Sequence, residues 1–320
     1  MSAARRALAL LALLALAFLP AVADQFYVEL VAKIMIMAVF ALSLDLLVGT
    51  TGLVSLGHAA FFGVAGYVVA LLAPDRNAGA TLWTSLPPAV AASALLALAI
   101  GALALRTRGV YFIMVTLAFS QLVYFVFHDT KLAGGSDGTY LYLAPATGPG
   151  AWSIDLGASV PFYYAMLAVL LLTFAFLRML LASRFGRALA GIRSNEPRMR
   201  ALGFNTYAYK LAAFTLAGAI AGVAGYFAAV QFGFVNPEML GWQQSANVLL
   251  ILILGGTGNL YGAIVGAFAF VLLQDGLSTL TKHWLLPMGV LIILSVMLLP
   301  QGLTRAGAAW RAWRAQVGHG

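Results

Sequence analysis

The sequence contains no cysteine among its 320 residues. Disulfide bonds, thiolate nucleophiles and cysteine-ligated metals are therefore excluded. Charged residues are also scarce, at 9% of the chain, whereas a soluble domain carries about 25%. Because 62% of the residues are hydrophobic and the mean hydropathy is +0.95, the composition predicts a polytopic membrane protein.

The sequence also lacks the motifs on which several common enzyme classes depend. It contains no Walker A phosphate loop, no H-E-x-x-H zinc motif and no G-x-S-x-G nucleophile elbow. Its four histidines are widely separated, and no basic surface with interleaved aromatic residues indicates nucleic-acid binding. We therefore expect a protein without catalytic activity, cofactor, metal or nucleic-acid partner.

Long apolar runs predict an all-α transmembrane bundle with some broken helices, in one domain over residues 1–320. A membrane-spanning helix needs about 20 apolar residues. We expect eight to ten spans and prefer ten. The predicted apolar segments are residues 28–48, 53–73, 86–105, 110–127, 162–182, 211–230, 246–254, 263–273 and 285–299, after a first run at about 7–23.

The first apolar run has two interpretations. Arg5 and Arg6 precede it, and Ala21-Val22-Ala23 precedes Asp24, as in a cleavable signal peptide. The alternative is a retained first span, which we prefer because the rest of the chain needs no export signal. In both cases the two arginines are expected in the cytoplasm, within residues 1–23.

The charge distribution predicts the orientation of the bundle. The segment 183–210 carries six basic residues and one acid, a net +5 of the +8 of the whole chain. Because Lys and Arg in short loops mark the cytoplasmic side, we expect this segment, Arg106 and Arg108, the tail 301–320 and both termini in the cytoplasm. The acidic connection 128–157 is expected to be external.

Residues 195–203, N-E-P-R-M-R-A-L-G, have the features of a short helix between two spans. Pro197 suits the first turn of a helix, and Gly203 suits its end. Such a helix would dock in a groove of a partner protein, although a loop with only a topological role is the alternative. The candidate docking residues are Arg187, Arg193, Glu196, Arg198, Arg200 and Gly203.

Glycine clusters interrupt two apolar segments, at Gly49–Gly52 and Gly255–Gly258. Irregular backbone at membrane depth is tolerated only where it faces protein or a water-filled cavity. The clusters therefore indicate either close helix packing or a translocation pathway, and Asp45 has the further alternative of the cytoplasmic interface. The candidate pathway residues are Asp45, Gly49, Gly52, Ser55, His58, Asn247, Gly255, Gly256 and Gly258.

Two shorter motifs are less specific. Gly134-Gly135-Ser136-Asp137-Gly138 is typical of a flexible external turn. The pentapeptide Gly63–Tyr67 recurs as Gly222–Tyr226 in spans that should run in the same direction. This recurrence indicates a parallel internal repeat, with a chance match of small residues as the alternative.

Four blocks of the sequence resemble permeases of the branched-chain amino-acid ABC transporter family, and within it the LivM-type subunit. The blocks lie at residues 41–72, at the G-G-S-D-G motif, at G-R-A-L-A-G-I-R-S-N-E-P-R-M-R-A-L-G-F in the basic segment, and at residues 252–273. They occur in the family's order between about residues 30 and 300. The chain departs from the family at Pro197, where Ala is common, and at Asp45, where Asn is frequent.

The resemblance implies a permease subunit of an ABC importer in the inner membrane, working by alternating access without an ATPase of its own. It implies a second, LivH-like permease, two ATP-binding subunits and an extracytoplasmic solute-binding protein. Segment 183–210 would be the ATPase-coupling loop, and Gly134–Gly138 would lie near the docked binding protein. The expected substrates are branched-chain amino acids. The alternatives are urea, short amides or aromatic acids, or an ion-coupled secondary transporter.

Overall fold

The structure is a computed structural model that describes residues 3–72, 81–130, 132–142, 144–147, 155–298 and 302–304. These residues form twelve α-helices, two 3-10 helices and one small sheet, so the predicted all-α helix bundle is confirmed. Most of the connection between the predicted spans 53–73 and 86–105, and almost all of the basic tail 301–320, lie outside the described residues.

Ten of the described helices are apolar, and the preferred number of ten spans stays a prediction. Six are long and apolar enough to cross a membrane: α2 (Gln25–Thr51), α4 (Leu82–Ala104), α5 (Val110–Asp129), α6 (Ser159–Ala182), α9 (Thr206–Phe232) and α11 (Leu260–Leu280). Four further apolar stretches are shorter: Leu11–Val22 within α1 (Ala3–Val22), α3 (His58–Leu72), α10 (Trp242–Gly255) and α12 (Leu285–Leu298). The remaining two, α7 (Arg184–Ser194) and α8 (Glu196–Ala201), lie in the basic segment.

Helices α2 and α9 form the centre of the bundle. Their most apolar stretches are 94% and 78% buried, compared with 22–28% for the other four long helices. Helix α9 packs against α2, α3 and α4, while α2 also contacts α6 and α11. The outer helices therefore present most of their apolar side chains outward, as lipid contact requires.

Glycines allow α9 to approach its neighbours closely. A Cβ atom added at Gly225 would lie 1.8 Å from the carbonyl oxygen of Phe62 in α3. A Cβ atom added at Gly218 would lie 2.3 Å from Cβ of Ala97 in α4. Close backbone approach at small residues is the common packing mode of helices in membranes. Because lipid is as apolar as the helix surfaces, the hydrophobic effect does not drive helices together there.

The two copies of the repeated pentapeptide lie in helices that pack together. Phe61 and Phe214 contact each other with ring centroids 5.6 Å apart, and further along both helices Gly66 faces Ala229. The contacts advance in the same order along both helices, so α3 and α9 run in the same direction, as predicted from the recurrence.

Polar connections gather at two opposite ends of the bundle. At one end, which we call the loop end, Ser159 at the start of α6 donates to Glu29 near the start of α2 over 2.8 Å. The strands β1 (Thr139–Tyr140) and β2 (Phe234–Val235) pair antiparallel there. At the other end, the basic end, Tyr207 at the start of α9 donates to the Ala102 carbonyl near the end of α4.

Three predicted boundaries around the first glycine cluster and the basic segment are wrong. Helix α2 continues through Gly49 to Thr51, because buried packing tolerates a glycine inside a helix, and only Gly52 takes the left-handed conformation, with φ 74°. Helix α3 begins at His58 rather than at residue 53, so residues 53–57 are not helical. Helix α9 begins at Thr206, so residues 206–210 of the expected loop are its first turn.

The connection 128–157 contains regular structure that the sequence did not indicate. A 3-10 helix, Leu132–Asp137, includes most of the glycine motif that was expected to be a flexible turn. Gly138 follows with φ 73°, and β1 then pairs with β2. A Cβ atom added at Gly138 would lie 2.3 Å from the Val235 carbonyl oxygen, so this motif packs against the 234–235 strand.

We predict that the two ends of the bundle face opposite sides of the membrane, with the basic end in the cytoplasm. Asp137→Cys at the loop end and Arg108→Cys at the basic end replace exposed side chains in a chain without cysteine. A membrane-impermeant thiol reagent should label Asp137→Cys in intact cells and Arg108→Cys only after permeabilisation. Labelling of both positions from the same side would contradict this orientation.

Candidate functional site

The basic segment folds as two short helices joined at Asn195. The Ser183 hydroxyl accepts from the Gly186 amide at the start of α7, and the Asn195 side chain accepts from the Arg198 amide over 3.0 Å at the start of α8. The predicted short helix after Asn195 is thus confirmed, whereas α7 was not predicted as a separate helix. Gly203 follows α8 with φ 87°, which confirms the predicted helix stop.

The two helices of this segment differ in burial. Helix α7 buries one face, formed by Gly186, Ala188, Leu189 and Ile192, and packs against α2, α6 and α9. No residue of α8 is buried, and a Cβ atom added at Gly203 would meet nothing within 4 Å. Helix α7 is therefore anchored in the bundle, and α8 lies on its surface.

Glu196 holds α8 against the start of α9. Its carboxylate accepts from Arg200 over 2.5 Å, from Lys210 over 2.6 Å and from the Thr206 hydroxyl over 3.0 Å. Partial burial raises the pKa of Glu196, but the hydrogen bond and charge of Lys210, with Thr206 and Arg200, outweigh it and lower this pKa from 4.5 to about 2. The carboxylate of Glu196, a predicted docking residue, is thus paired within the chain.

Arg193 connects α7 to the two glycine interruptions. Its guanidinium donates to the carbonyl oxygen of Gly49 in the last turn of α2. The Asp45 carboxylate accepts from the amide of Gly258 over 2.7 Å. We call this cluster of Asp45, Gly49, Gly52, Arg193 and Gly258 the glycine junction.

The backbones at the glycine junction are in close contact. A Cβ atom added at Gly49 would lie 2.7 Å from Cα of Gly258 and 2.6 Å from Oδ1 of Asp45. Gly256 and Gly258 have φ values of 103° and 77°, which L-residues with a side chain rarely adopt. The two glycine clusters, separated by about 200 residues in the sequence, therefore meet in one place.

A residue near the C-terminus, Thr304, also contacts the interruption between α10 and α11. The Thr304 hydroxyl donates to the Gly255 carbonyl over 2.9 Å and is within 3.3 Å of the Asn259 side-chain amide. Gly255 itself packs against α11, since an added Cβ would lie 1.9 Å from the Gly262 carbonyl oxygen. Gly255 thus lies in a contact between helices.

Ser55 and His58 are fully buried beside the middle of α2. His58 Nε2 is 2.8 Å from the Ser43 hydroxyl, and its ring stacks on Phe40 with centroids 5.6 Å apart. The Ser55 hydroxyl accepts from the Gly57 amide. The Ala59 amide at the start of α3 donates to Ser245 near the start of α10 over 2.8 Å, so the two shorter helices meet there.

Two cavities open at the two ends of the described structure. The cavity at the basic end is lined by Arg106, Arg108, Arg200 and Lys210 together with Glu196. The cavity at the loop end contains Asn247, which is the one predicted pathway residue on the wall of either cavity.

The structure brings together some of the predicted site residues and separates others. Asp45, Gly49, Gly52 and Gly258 join Arg193, a predicted docking residue, at the glycine junction. Gly134–Gly138 and Asn247 lie toward the opposite end. Sequence reasoning missed Thr304 and the buried face of α7, although the apolar spacing of Ala188, Leu189 and Ile192 on that helix was a usable signal.

Comparisons with known proteins agree with this architecture. A family model described as branched-chain amino acid transport system, permease component, matches residues 26–299. The high-affinity branched-chain amino acid transport system permease protein LivM of Salmonella typhimurium is 33% identical, over 94% of this chain and 76% of its own length, and LivM of Escherichia coli K12 gives the same values. The autoinducer 2 import system permease protein LsrC of Escherichia coli O157:H7 is 31% identical over 82% of this chain and 77% of its own. No solved structure matches.

We predict that Glu196→Gln lowers the free energy of unfolding by about 1–2 kcal/mol, after allowance for solvent screening of the ion pairs. Because the folded pKa of Glu196 lies below 4.5, the stabilisation is present above about pH 4.5 and is lost as the pH falls toward 2. Thermal unfolding in detergent should therefore show a difference between wild type and variant at pH 7 that shrinks on acidification. Asp24→Asn, at an acid without a capping hydrogen bond, is the control. Equal stability of Glu196→Gln and wild type at pH 7 would contradict the prediction.

We predict that Gly255→Ala destabilises the bundle by about 1–3 kcal/mol, because the new methyl group overlaps the Gly262 carbonyl oxygen. Gly276→Ala in α11 is the matched control, since an added Cβ there meets nothing within 4 Å and alanine favours a helix by up to about 1 kcal/mol. Thermal unfolding of the two purified variants measures the difference. Equal unfolding temperatures would show that α10 and α11 are not packed as described.

Proposed function

Because this chain belongs to the permease family of branched-chain amino acid ABC importers, we propose that it moves branched-chain amino acids across the inner membrane by alternating access. The names of its relatives support this substrate class. The sequence carries no Walker A motif, so the energy would come from ATP hydrolysis on separate subunits. The chain would itself be a transport subunit and not an enzyme.

The proposed assembly contains a second, LivH-like permease, two ATP-binding subunits and an extracytoplasmic solute-binding protein. In this arrangement the basic end and both termini lie in the cytoplasm, with residues 1–23 retained as a first span and the whole chain forming one membrane domain. The 3-10 helix Leu132–Asp137 on the loop end, with Gly134, Ser136 and Asp137 exposed, would lie near the docked binding protein.

The ATP-binding subunits would dock on α8 and the exposed face of α7. Arg187 and Arg198 are exposed, and Gly203 leaves open space beside α8. Arg200 and Glu196 would serve docking indirectly, because both hold α8 to α9: Glu196 pairs with Lys210, and Arg200 donates to the Thr206 hydroxyl. Charged side chains on such a surface contribute orientation and association rate more than affinity.

The observation that carries this proposal is the hydrogen bond from Arg193 to Gly49. It joins the segment that would meet the ATPases to the end of α2, beside both glycine interruptions. A displacement of α7 would therefore act on Gly52, Gly256 and Gly258, where the backbone is not helical or ends a helix, and on Asp45, which accepts from the Gly258 amide. We propose that this junction moves during transport, and that Ser55, His58 and Asn247 lie along the path that it opens.

Uptake of labelled L-leucine by proteoliposomes containing the complete importer tests the proposed function. We expect uptake that needs ATP and the binding protein, and that proceeds without an ion gradient. Competition by urea, short amides or aromatic acids, with no competition by isoleucine and valine, would assign a different substrate. Uptake driven by an ion gradient without ATP would contradict an ATP-driven mechanism.

In the same assay, we predict that Arg193→Gln lowers uptake at least tenfold while the ATP-binding subunits still co-purify and hydrolyse ATP. The shorter, neutral side chain loses the charged hydrogen bond to Gly49 but leaves the surface of α8 unchanged. Arg184→Gln, an exposed arginine in the first turn of the same helix, is the matched control and should transport normally. Normal uptake by Arg193→Gln would show that coupling does not pass through Gly49.

A further inference from the structure

A cavity of about 260 Å³ lies at the loop end, between α2, α3, α9, α10 and α11. This volume is near the lower end of the range for small-molecule sites. One part of its wall is apolar, with side chains such as Ile36, Phe62 and Val271. The other part is polar, with Lys33, Asn236, Glu238, Gln244, Asn247 and Gln274. A compact ligand with one apolar group and several polar groups would fit these two parts of the wall.

Lys33 is an unusual residue for its position. It lies about two turns into α2, the most buried long helix, and the described residues offer it no hydrogen bond and no ion pair. An ammonium group within an apolar bundle costs several kcal/mol unless an anion or several polar groups accompany it. Lys33 is partly exposed on the wall of the cavity, and it is free to pair with an anionic group that enters there.

Glu238 supplies the opposite charge in the same cavity. It belongs to the 3-10 helix Pro237–Leu240, and its carboxylate is 3.5 Å from the Asn236 side-chain amide. Although Lys33 and Glu238 line one cavity, the described structure holds no ion pair between them. The two charges thus do not pair with each other, and since Glu238 is exposed and Lys33 partly exposed, each is able to receive a group of the opposite sign.

We propose that this cavity binds a free α-amino acid, with its carboxylate at Lys33, its ammonium group at Glu238 and its branched side chain against the apolar wall. The inference rests on the proposed function and names the place where the chain itself would hold the substrate. The amides of Gln244, Asn247 and Gln274 provide further donors and acceptors around the two charged groups. The zwitterion leaves neither protein charge without a partner.

This arrangement makes a specific demand on the ligand. A bound analogue that lacks one charge covers Lys33 or Glu238 without pairing with it, and sites built to bind a polar group discriminate strongly against ligands without it. L-leucine should therefore bind at least tenfold more tightly than 3-methylbutylamine, which lacks the carboxylate, and than 4-methylpentanoate, which lacks the ammonium group. A merely apolar cavity would bind the three molecules in the order of their hydrophobicity.

Ligand-dependent thermal unfolding of the purified importer, without its binding protein, tests the proposal. A ligand that binds only the folded state raises the unfolding temperature in a concentration-dependent way. We expect L-leucine to do so, with an apparent affinity that falls at least tenfold in Lys33→Met and in Glu238→Gln. Lys33→Arg should stay within about threefold of wild type. Lys282→Met, at an exposed lysine outside the cavity, should behave as wild type.

Two results would overturn the assignment: no effect of L-leucine on the wild-type complex, or unchanged leucine dependence in both Lys33→Met and Glu238→Gln. Leucine uptake by the complete importer separates this failure from that of the proposed function. If the wild type takes up leucine but the cavity variants bind it normally, only the site is wrong. If the wild type takes up no leucine, the proposed substrate is wrong as well.

Discussion

A backbone amide or carbonyl inside a membrane needs a partner within the protein, and the interruptions of this bundle are arranged around that requirement. At the glycine junction, Asp45 accepts from the Gly258 amide and Arg193 donates to the Gly49 carbonyl. Thr304 donates to the Gly255 carbonyl nearby. Side chains thus supply the hydrogen bonds that these backbone groups would make inside a continuous helix. Irregular backbone is therefore compatible with largely apolar surroundings.

Further side-chain hydrogen bonds lie among α9 and the helices that pack against it. Ser93 in α4 donates to the Phe61 carbonyl, and Ser85 is 2.7 Å from the Tyr226 hydroxyl. Both contacts lie where helices approach closely at small residues. Hydrogen bonds of this kind supplement van der Waals packing, which drives helix association in lipid. The centre of the protein therefore combines large apolar side chains with small and hydroxylated residues at the closest helix contacts.

Features with a local cause were predictable from the sequence, and long-range contacts were not. Apolar runs, the basic segment, the helix before Gly203 and the break near Gly256 follow from hydropathy, charge and backbone preference within a few residues. The bond between Arg193 and Gly49 joins positions 144 residues apart, and that between Asp45 and Gly258 joins positions 213 apart. Gly49 was expected to break its helix, but packing on all sides keeps the helix intact to Thr51. Tertiary contacts of this kind leave no trace in a single sequence.

The basic segment is tied to the two central helices by two different side chains. Arg193 fastens α7 to the end of α2, and Glu196 fastens α8 to the start of α9 through Lys210 and Thr206. The two short helices share only the single residue Asn195 between them. The segment is therefore attached to the central helices through two side chains, and its own two helices are connected at Asn195. A push on its surface would be divided between α2 and α9, and the stiffness of the joint at Asn195 would set whether these helices tilt together or separate.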